Sequence, residues 1–345
     1  IILIRLGINM ENGQSKIRLI DGEGGRATSR LIRDLFLKHF DNPLLSKLND
    51  SAVANIKSSR IAFTTDGFVI DPLEFPGGNI GKLAICGTVN DLAASGSKPI
   101  MLSASFILEE GFEISILERI VEKMAQTATE ADVAIVCGDT KVVQKGKGDG
   151  IYITTSGVGI LPENVSIDPE NIREGDVIIV SGHIAQHASA IIALRENLKT
   201  NPPLESDCAP LSAMVQLAIE TVSEIRAMRD PTRGGLGGIL LELASQSGTK
   251  FILDEKSIPV ENVVRNICEL FGYDPLFMAC EGRMAFVVSE RMASRLLKII
   301  SNDPYGHGAN IIGRVEKGEG VILETKSGGR RKLAQPEGSP LPRIC

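Results

Sequence analysis

A chain of 345 residues is longer than one compact core usually organises, so two domains of ordinary size are expected. With 43% hydrophobic and 23% charged residues, the composition is near the globular average and excludes disorder, collagen and low complexity for most of the length. The 37 Lys+Arg against 43 Asp+Glu leave a formal charge of −6, so no general attraction to nucleic acid or anionic lipid is expected and any phosphate site must be local.

In chain order, the apolar opening Ile1-Ile2-Leu3-Ile4 is broken by Arg5 and Gly7, too short for a signal core or a span of about 20 residues, so this segment is expected neither to export nor to anchor the chain. β-Branched runs predict strands at residues 61–70, 134–143, 151–155, 177–180, 286–289 and 321–325. Between them, Leu117, Ile120, Val121, Met124, Ala125 and Ala128 repeat as one helix face, and Leu211, Met214, Val215, Ala218, Val222 and Ile225 as another. The elements read as mixed α/β or α+β. A polar, turn-rich connection between Leu161 and Asp176 divides the chain into domains at 1–162 and 163–325. Residues 326–345, rich in Gly and Pro, carry no helix or strand period and read as a flexible tail. The cysteines at 86, 137, 208, 268, 280 and 345 form no C-x-x-C pair, which suits a reducing cytoplasm. Thirty-five glycines and no Trp favour backbone-lined ligand loops over aromatic stacking surfaces.

Three acids lie in or just after strand-like runs: Asp66 in Thr64-Thr65-Asp66-Gly67, Asp91 in Val89-Asn90-Asp91, and Asp139 in Gly138-Asp139-Thr140-Lys141. Carboxylates so placed converge on Mg²⁺ in nucleotide sites, and serve elsewhere as turn and cap residues. The Gly-Asp-Thr-Lys cluster adds a lysine as phosphate partner. In Asp230-Pro231-Thr232-Arg233-Gly234-Gly235 a glycine turn leads into an apolar helix, whose unsatisfied N–H groups and Arg233 suit an anion. The loop Asp21-Gly22-Glu23-Gly24-Gly25-Arg26 suits phosphates less well, because its own acids repel them. His183 and His187 lack the further ligands of a zinc site, so helix-start hydrogen bonding is their default role. Glu281, in a mostly apolar stretch, reads either as a base with a raised pKa or as a turn acid. A thiol on the last residue, Cys345, is an unusual place for a packing cysteine and is expected to be free for modification.

Taken together, Thr64-Thr65-Asp66 with Asp71-Pro72 and Phe75-Pro76-Gly77-Gly78, then Gly87-Thr88-Val89-Asn90-Asp91-Leu92, Gly138-Asp139-Thr140-Lys141-Val142, Asp230 to Leu236, and the terminal Pro342-Arg343-Ile344-Cys345 resemble the HypE family of hydrogenase-maturation proteins. That family lies in the superfamily of aminoimidazole ribonucleotide synthetase and selenophosphate synthetase. The resemblance implies a two-domain α+β, PurM-like fold whose N-terminal half pairs in a homodimer as a mixed-chain barrel. It implies ATP and Mg²⁺ near the dimer interface, with Asp66, Asp91 and Asp139 at the metal and Thr140, Lys141, Asp230, Thr232, Arg233, Gly234 and Gly235 at the nucleotide. It further implies that Cys345 accepts a carbamoyl group from the carbamoyltransferase HypF and that ATP drives its dehydration to a thiocyanate, with Lys141 and Glu281 relaying protons. The cyanide then passes to iron on a HypC–HypD scaffold. Family members usually carry His-Gly-x-Gly-Gly where this chain has Asp21-Gly22-Glu23-Gly24-Gly25, Gly-Asp-His-Gly where it has Ala185-Gln186-His187-Ala188, and Asn at Cys280. A tail-thiol carrier with ATP as conformational ligand, or another synthetase or kinase of the superfamily, are the rival readings.

Overall fold

The computed structural model describes residues 16–18, 31–42, 60–334 and 343–345. The apolar opening at 1–7 and the Asp21–Arg26 loop, on which expectations were stated, lie outside the described residues. The architecture is α+β, as expected, built on two main sheets. In the first, β1 (Ile61–Phe68), β6 (Ile151–Ile160), β4 (Lys98–Glu109) and β5 (Ala134–Val143) lie side by side in that order. Every pairing is antiparallel except β4 with β5, and apart from this sheet β2 (Glu74–Phe75) and β3 (Gly78–Asn79) form a small antiparallel hairpin. A short helical piece ends in α1 (Leu37–Phe40), and α2 (Ile80–Ala94) and α3 (Ile114–Glu130) follow.

Burial along β1 alternates residue by residue, because successive strand side chains point to opposite faces. Phe68 turns into the core with Phe106, Ile153 and the buried face of α3, whereas Ile61, Phe63 and Ile107 remain exposed. α2 is buried on nearly every side and so has no polar face. Asn79 caps it by accepting from the Lys82 N–H at 3.0 Å. This helix carries the Asn90-Asp91 block, and no apolar stripe marks it in the sequence.

The second sheet has seven strands in the order β13 (Arg330–Lys332), β12 (Gly320–Glu324), β9 (Lys250–Asp254), β11 (Gly308–Glu316), β7 (Asp176–Gly182), β10 (Ala285–Ser289) and β8 (Ile225–Arg229). β10 is apolar along its length because both its faces are covered. Ala285 and Val287 join the main core, while Phe286 and Val288 pack into a second cluster with α5 (Ser212–Thr221) and α8 (Glu290–Ser301). The remaining helices are α4 (Gln186–Arg195), α6 (Gly235–Ser247) and α7 (Asn262–Phe271). No helix among the described residues is long and apolar enough to cross a membrane.

Two expectations are corrected here. The helix expected through Ile225 stops at Thr221, since Val222 is already extended and Ile225 opens β8. The segment after 325 is not without strand: Arg330–Lys332 pairs with β12, and Leu333 is buried, so the C-terminal sheet runs past the expected start of the tail.

Candidate active site

The C-terminal part of α2, the start of β1 and the end of β8 enclose a cleft of about 300 Å³, whose walls include Thr64, Asp91, Ser95, Ile167, Met228 and Asp230. Thr64 donates to the Asp91 carboxylate at 2.8 Å, and Thr88 to that of Asp66 at 3.3 Å. Burial, then the neighbouring Asp91, push the Asp66 carboxyl up to about 6, with Arg233 opposing. Asp230 is pushed up to about 7 by burial and then by the charges of Asp91 and Asp66. Three carboxyls from three separate parts of the sequence thus share one field.

Asn90 ties this cleft to the second half of the chain. Its amide donates to the carbonyls of Ala209 at 3.0 Å and Glu281 at 3.3 Å, and its oxygen accepts from the Leu211 N–H at 2.8 Å. Glu281 is held through its backbone, its N–H donating to Asp207 at 3.0 Å. Next to it, Gly282 is required by close approach: a Cβ there would meet the Asp207 carbonyl at 1.8 Å. Glu281 itself is buried, and its Oε1 has no hydrogen-bond partner. Burial, and after it the surrounding Cys208, Asp207, Asp230 and Asp66, hold its pKa well above the usual carboxylate range.

The terminal residues occupy the same region. Arg343–Cys345 runs antiparallel to residues 69–71, the Val69 N–H donating to the Cys345 oxygen at 3.3 Å and the Asp71 N–H to Arg343 at 3.2 Å. Arg343 pairs with Asp149, and its Nε donates to the Val69 carbonyl at 3.1 Å. Ile344 is buried at 5% exposure. The Cys345 thiol is half-buried and pushed up to about 12 by burial and then by the Glu281 charge, against which Arg233 acts. The thiol expected to be free for modification thus lies docked here, within the electrostatic field of Glu281, Asp66 and Arg233.

Asp139, Thr140 and Lys141 do not join this group within the chain. Strand register aligns Gly67 with Thr154, Thr154 with Ser105 and Ser105 with Asp139, which puts Asp139 three strand spacings, about 14 Å, from β1. Alternation then sends Asp139 and Lys141 to the open face, where they pair at 3.0 Å, and Thr140 to the core. The Asp139 carboxyl is held below its ordinary value, first by Lys141. Within one chain, therefore, Asp139 does not meet Asp66 and Asp91, nor Lys141 Cys345. In the Asp230–Gly235 run, the Thr232 carbonyl accepts from the Gly235 N–H at 3.0 Å as α6 begins, and Gly234 and Gly235 take left-handed φ of +84° and +60°. The departure at residue 186 keeps a polar contact, Gln186 accepting from Arg283 at 2.6 Å.

His187, Ser206, Arg195 and Asn90 carry no site signature of their own in the sequence. Only the Asn90-Asp91 block and the His spacing hinted at any of them. Among the described residues no three His, Cys, Asp or Glu side chains close into a metal-binding set. Asp66 and Asp91, with Asp230 adjoining, still fit a hard cation that takes a few carboxylate oxygens and fills its shell with water and phosphate.

The sequence matches the N-terminal domain of AIR synthase related proteins over residues 48–161 and their C-terminal domain over 173–326. It is 45% identical to the carbamoyl dehydratase HypE of Azotobacter vinelandii over 340 residues, 98% of this chain and 99% of that protein. A crystal structure of a hydrogenase maturation protein HypE in complex with ATP superposes with a TM-score of 0.92 at 42% identity, covering 95% of this chain and 99% of the other. A chain of a HypE–HypF complex matches at 42% identity and a TM-score of 0.78, covering 89% of this chain and 99% of that one. By sequence over nearly its whole length, and by fold, this chain belongs to the HypE family of carbamoyl dehydratases within the AIR synthase related proteins.

Proposed function

We propose that this protein carries a carbamoyl group on the Cys345 thiol and dehydrates it to a thiocyanate at the expense of ATP, supplying cyanide for assembly of a nickel–iron hydrogenase centre. The observation behind this reading is the docking of the last residue beside a buried Glu281, whose Oε1 has no hydrogen-bond partner, and a cluster of carboxyls. An amide oxygen leaves poorly. Transfer of the γ-phosphoryl of ATP to the thiocarbamate oxygen gives ADP and a phosphorylated imidate as one N–H proton departs. Loss of phosphate with the second N–H proton then forms the C≡N bond.

Such transfer asks the protein for positioning and charge stabilisation. Asp66, Asp91 and Asp230 are the residues for Mg²⁺, which when bound neutralises charge on the phosphates. Arg233, Thr232 and the Gly234-Gly235 turn suit the phosphates themselves. Glu281, with its raised pKa, suits the amide protons at neutral pH. Asp139, Thr140 and Lys141 take part only from a second copy. The exposed Ile61, Phe63 and Ile107 on the open sheet face support closure by a homodimer, and a stable monomer in sedimentation would remove those three residues from the site. In this reading HypF loads the thiol in the cytoplasm and a HypC–HypD scaffold receives the cyanide.

Mass spectrometry of the C-terminal peptide, starting from carbamoylated protein, tests the reaction. Addition of Mg·ATP is expected to remove one water from the Cys345 adduct. An adduct that survives ATP unchanged overturns the dehydratase reading in favour of a carrier.

A further inference from the structure

One helix grips two successive carbonyls of the docked tail. At the amino end of α4 the His187 Nε2 lies 2.7 Å from the Ile344 carbonyl, and at its carboxyl end Arg195 donates to the Arg343 carbonyl at 2.6 Å. A carbonyl only accepts, so Nε2 carries the proton. The neutral ring is then left with a bare Nδ1, which accepts from the Ser206 hydroxyl at 2.7 Å, and Ser206 in turn accepts from the Cys208 N–H at 3.0 Å. Every polar atom of this fully buried relay is satisfied with the tail in place. The ring is fixed from its side as well, edge-on to Phe75 with centroids 5.4 Å apart. Pro76 holds the Ser206 N–H at 2.8 Å, and Gly77, at φ +92°, leaves room for the Ser206 backbone.

We infer that His187, oriented by Ser206, is a positioning residue that sets the Cys345 thiol in the cleft by gripping the peptide group immediately before it. The start of α4 is itself bound to the segment bearing Glu281, the Ala188 N–H donating to Ala279 at 3.2 Å and the Ala185 N–H meeting the Cys280 sulfur at 3.2 Å. Gripping Ile344 therefore registers Cys345 against Glu281. The grip is a neutral hydrogen bond to backbone, which holds the tail while it is docked and lets it leave. Its kinetic consequence rests on the dehydratase reading; its effect on docking does not.

Iodoacetamide labelling of the full chain, read by peptide mass spectrometry with the half-buried Cys137 as internal reference, measures docking directly. His187→Phe keeps the aromatic face toward Phe75 but has no ring nitrogen. Cys345 labelling is expected to rise about tenfold with Cys137 unchanged. His187→Gln, which returns an N–H donor, is expected to come back to within about threefold of the parent, and Ser206→Ala to fall between. In carbamoylated protein, ATP-driven loss of water should slow in the same order. Equal Cys345 labelling in the parent and His187→Phe overturns the inference. If Cys137 labelling also rises in the Phe variant, Ser206→Ala decides, and labelling equal to the parent overturns the inference there. The expected labelling order in a protein that never loses water supports the docking role and overturns only the dehydratase reading.

Discussion

The two halves of the candidate site are held in different ways. The carboxyls and Glu281 sit on scaffold: Asp66 in a strand, Asp91 on a helix buried on nearly every side, Glu281 between a backbone bond to Asp207 and a glycine that admits no Cβ. The described terminal residues 343–345 are held by a handful of hydrogen bonds, an ion pair from Arg343 and the buried side chain of Ile344. Undocking residues 343–345 withdraws one side chain, that of Ile344, from the core, whereas moving Glu281 breaks several contacts of the scaffold. The difference teaches which part is built to stay and which to travel. A charge relay that must not shift is packed; a carrier that must reach a partner is attached by bonds that are individually weak.

The sharpest test of that division removes the travelling group. Cys345→Ala is expected to abolish carbamoyl uptake entirely, while the thermal midpoint and ATP binding stay those of the parent, because the residue contributes a half-buried side chain at a chain end. Calorimetry beside mass spectrometry checks both halves of the statement, and a carbamoyl adduct on any other cysteine breaks it. On the scaffold side, Glu281→Gln is expected to slow dehydration by roughly 10²- to 10⁴-fold, the range for loss of a general base. Its stability should stay near the parent's, since burial already favours the neutral form of Glu281, which the amide matches in size and charge. A lower unfolding temperature with unchanged turnover would reverse the roles assigned here.

The same division explains what the sequence made legible. Strands with one exposed face, such as β1, declare themselves by alternation, and α3 by its apolar stripe. α2 does neither, since a helix buried on nearly every side has no period to read, and its Asn90 is recognisable only as part of a motif. Asp66, Asp91, Asp230 and Glu281 stand out as acids in glycine-rich or apolar surroundings, and the structure brings them together. Asp139 and Lys141 have the same local signature, yet the order of strands puts them on the far edge and the other face. Local sequence does not encode that order. The dock was the least legible part. His187 and Ser206 are nineteen positions apart and meet a residue 157 positions from His187, so their partnership exists only once the chain has closed.

Within the carboxyl cluster, Asp91→Asn should leave the fold intact and weaken Mg-dependent ATP use by about tenfold, read as the shift in Mg²⁺ needed for half-maximal turnover. An isosteric amide keeps the acceptor oxygen for Thr64, so a structural role alone moves nothing. Unchanged turnover at limiting Mg²⁺ removes Asp91 from the metal and leaves it a helix acid whose role is its bond to Thr64.

The smallest effect comes from pH. Burial first, then Glu281, raise the docked thiol of Cys345 from its ordinary 9.0 to about 12. Docking therefore favours the protonated thiol: its advantage is fully present below pH 9, and falls as pH rises through 9 toward 12 because the undocked thiol ionises first. At pH 9 the undocked thiol is half ionised and the docked one hardly at all, so the docking constant should drop about twofold, and about tenfold by pH 10. Hydrogen exchange at the Val69 and Asp71 amides, which donate to the tail, reads the docked fraction. Comparison with Cys345→Ser, whose hydroxyl does not ionise in this range, cancels the pH dependence of exchange itself. Protection in the parent relative to that variant should decline on this schedule. A ratio that stays flat to pH 10 would mean that the thiol is as well solvated when docked as when free, and that the tail end of the site is held no differently from open surface.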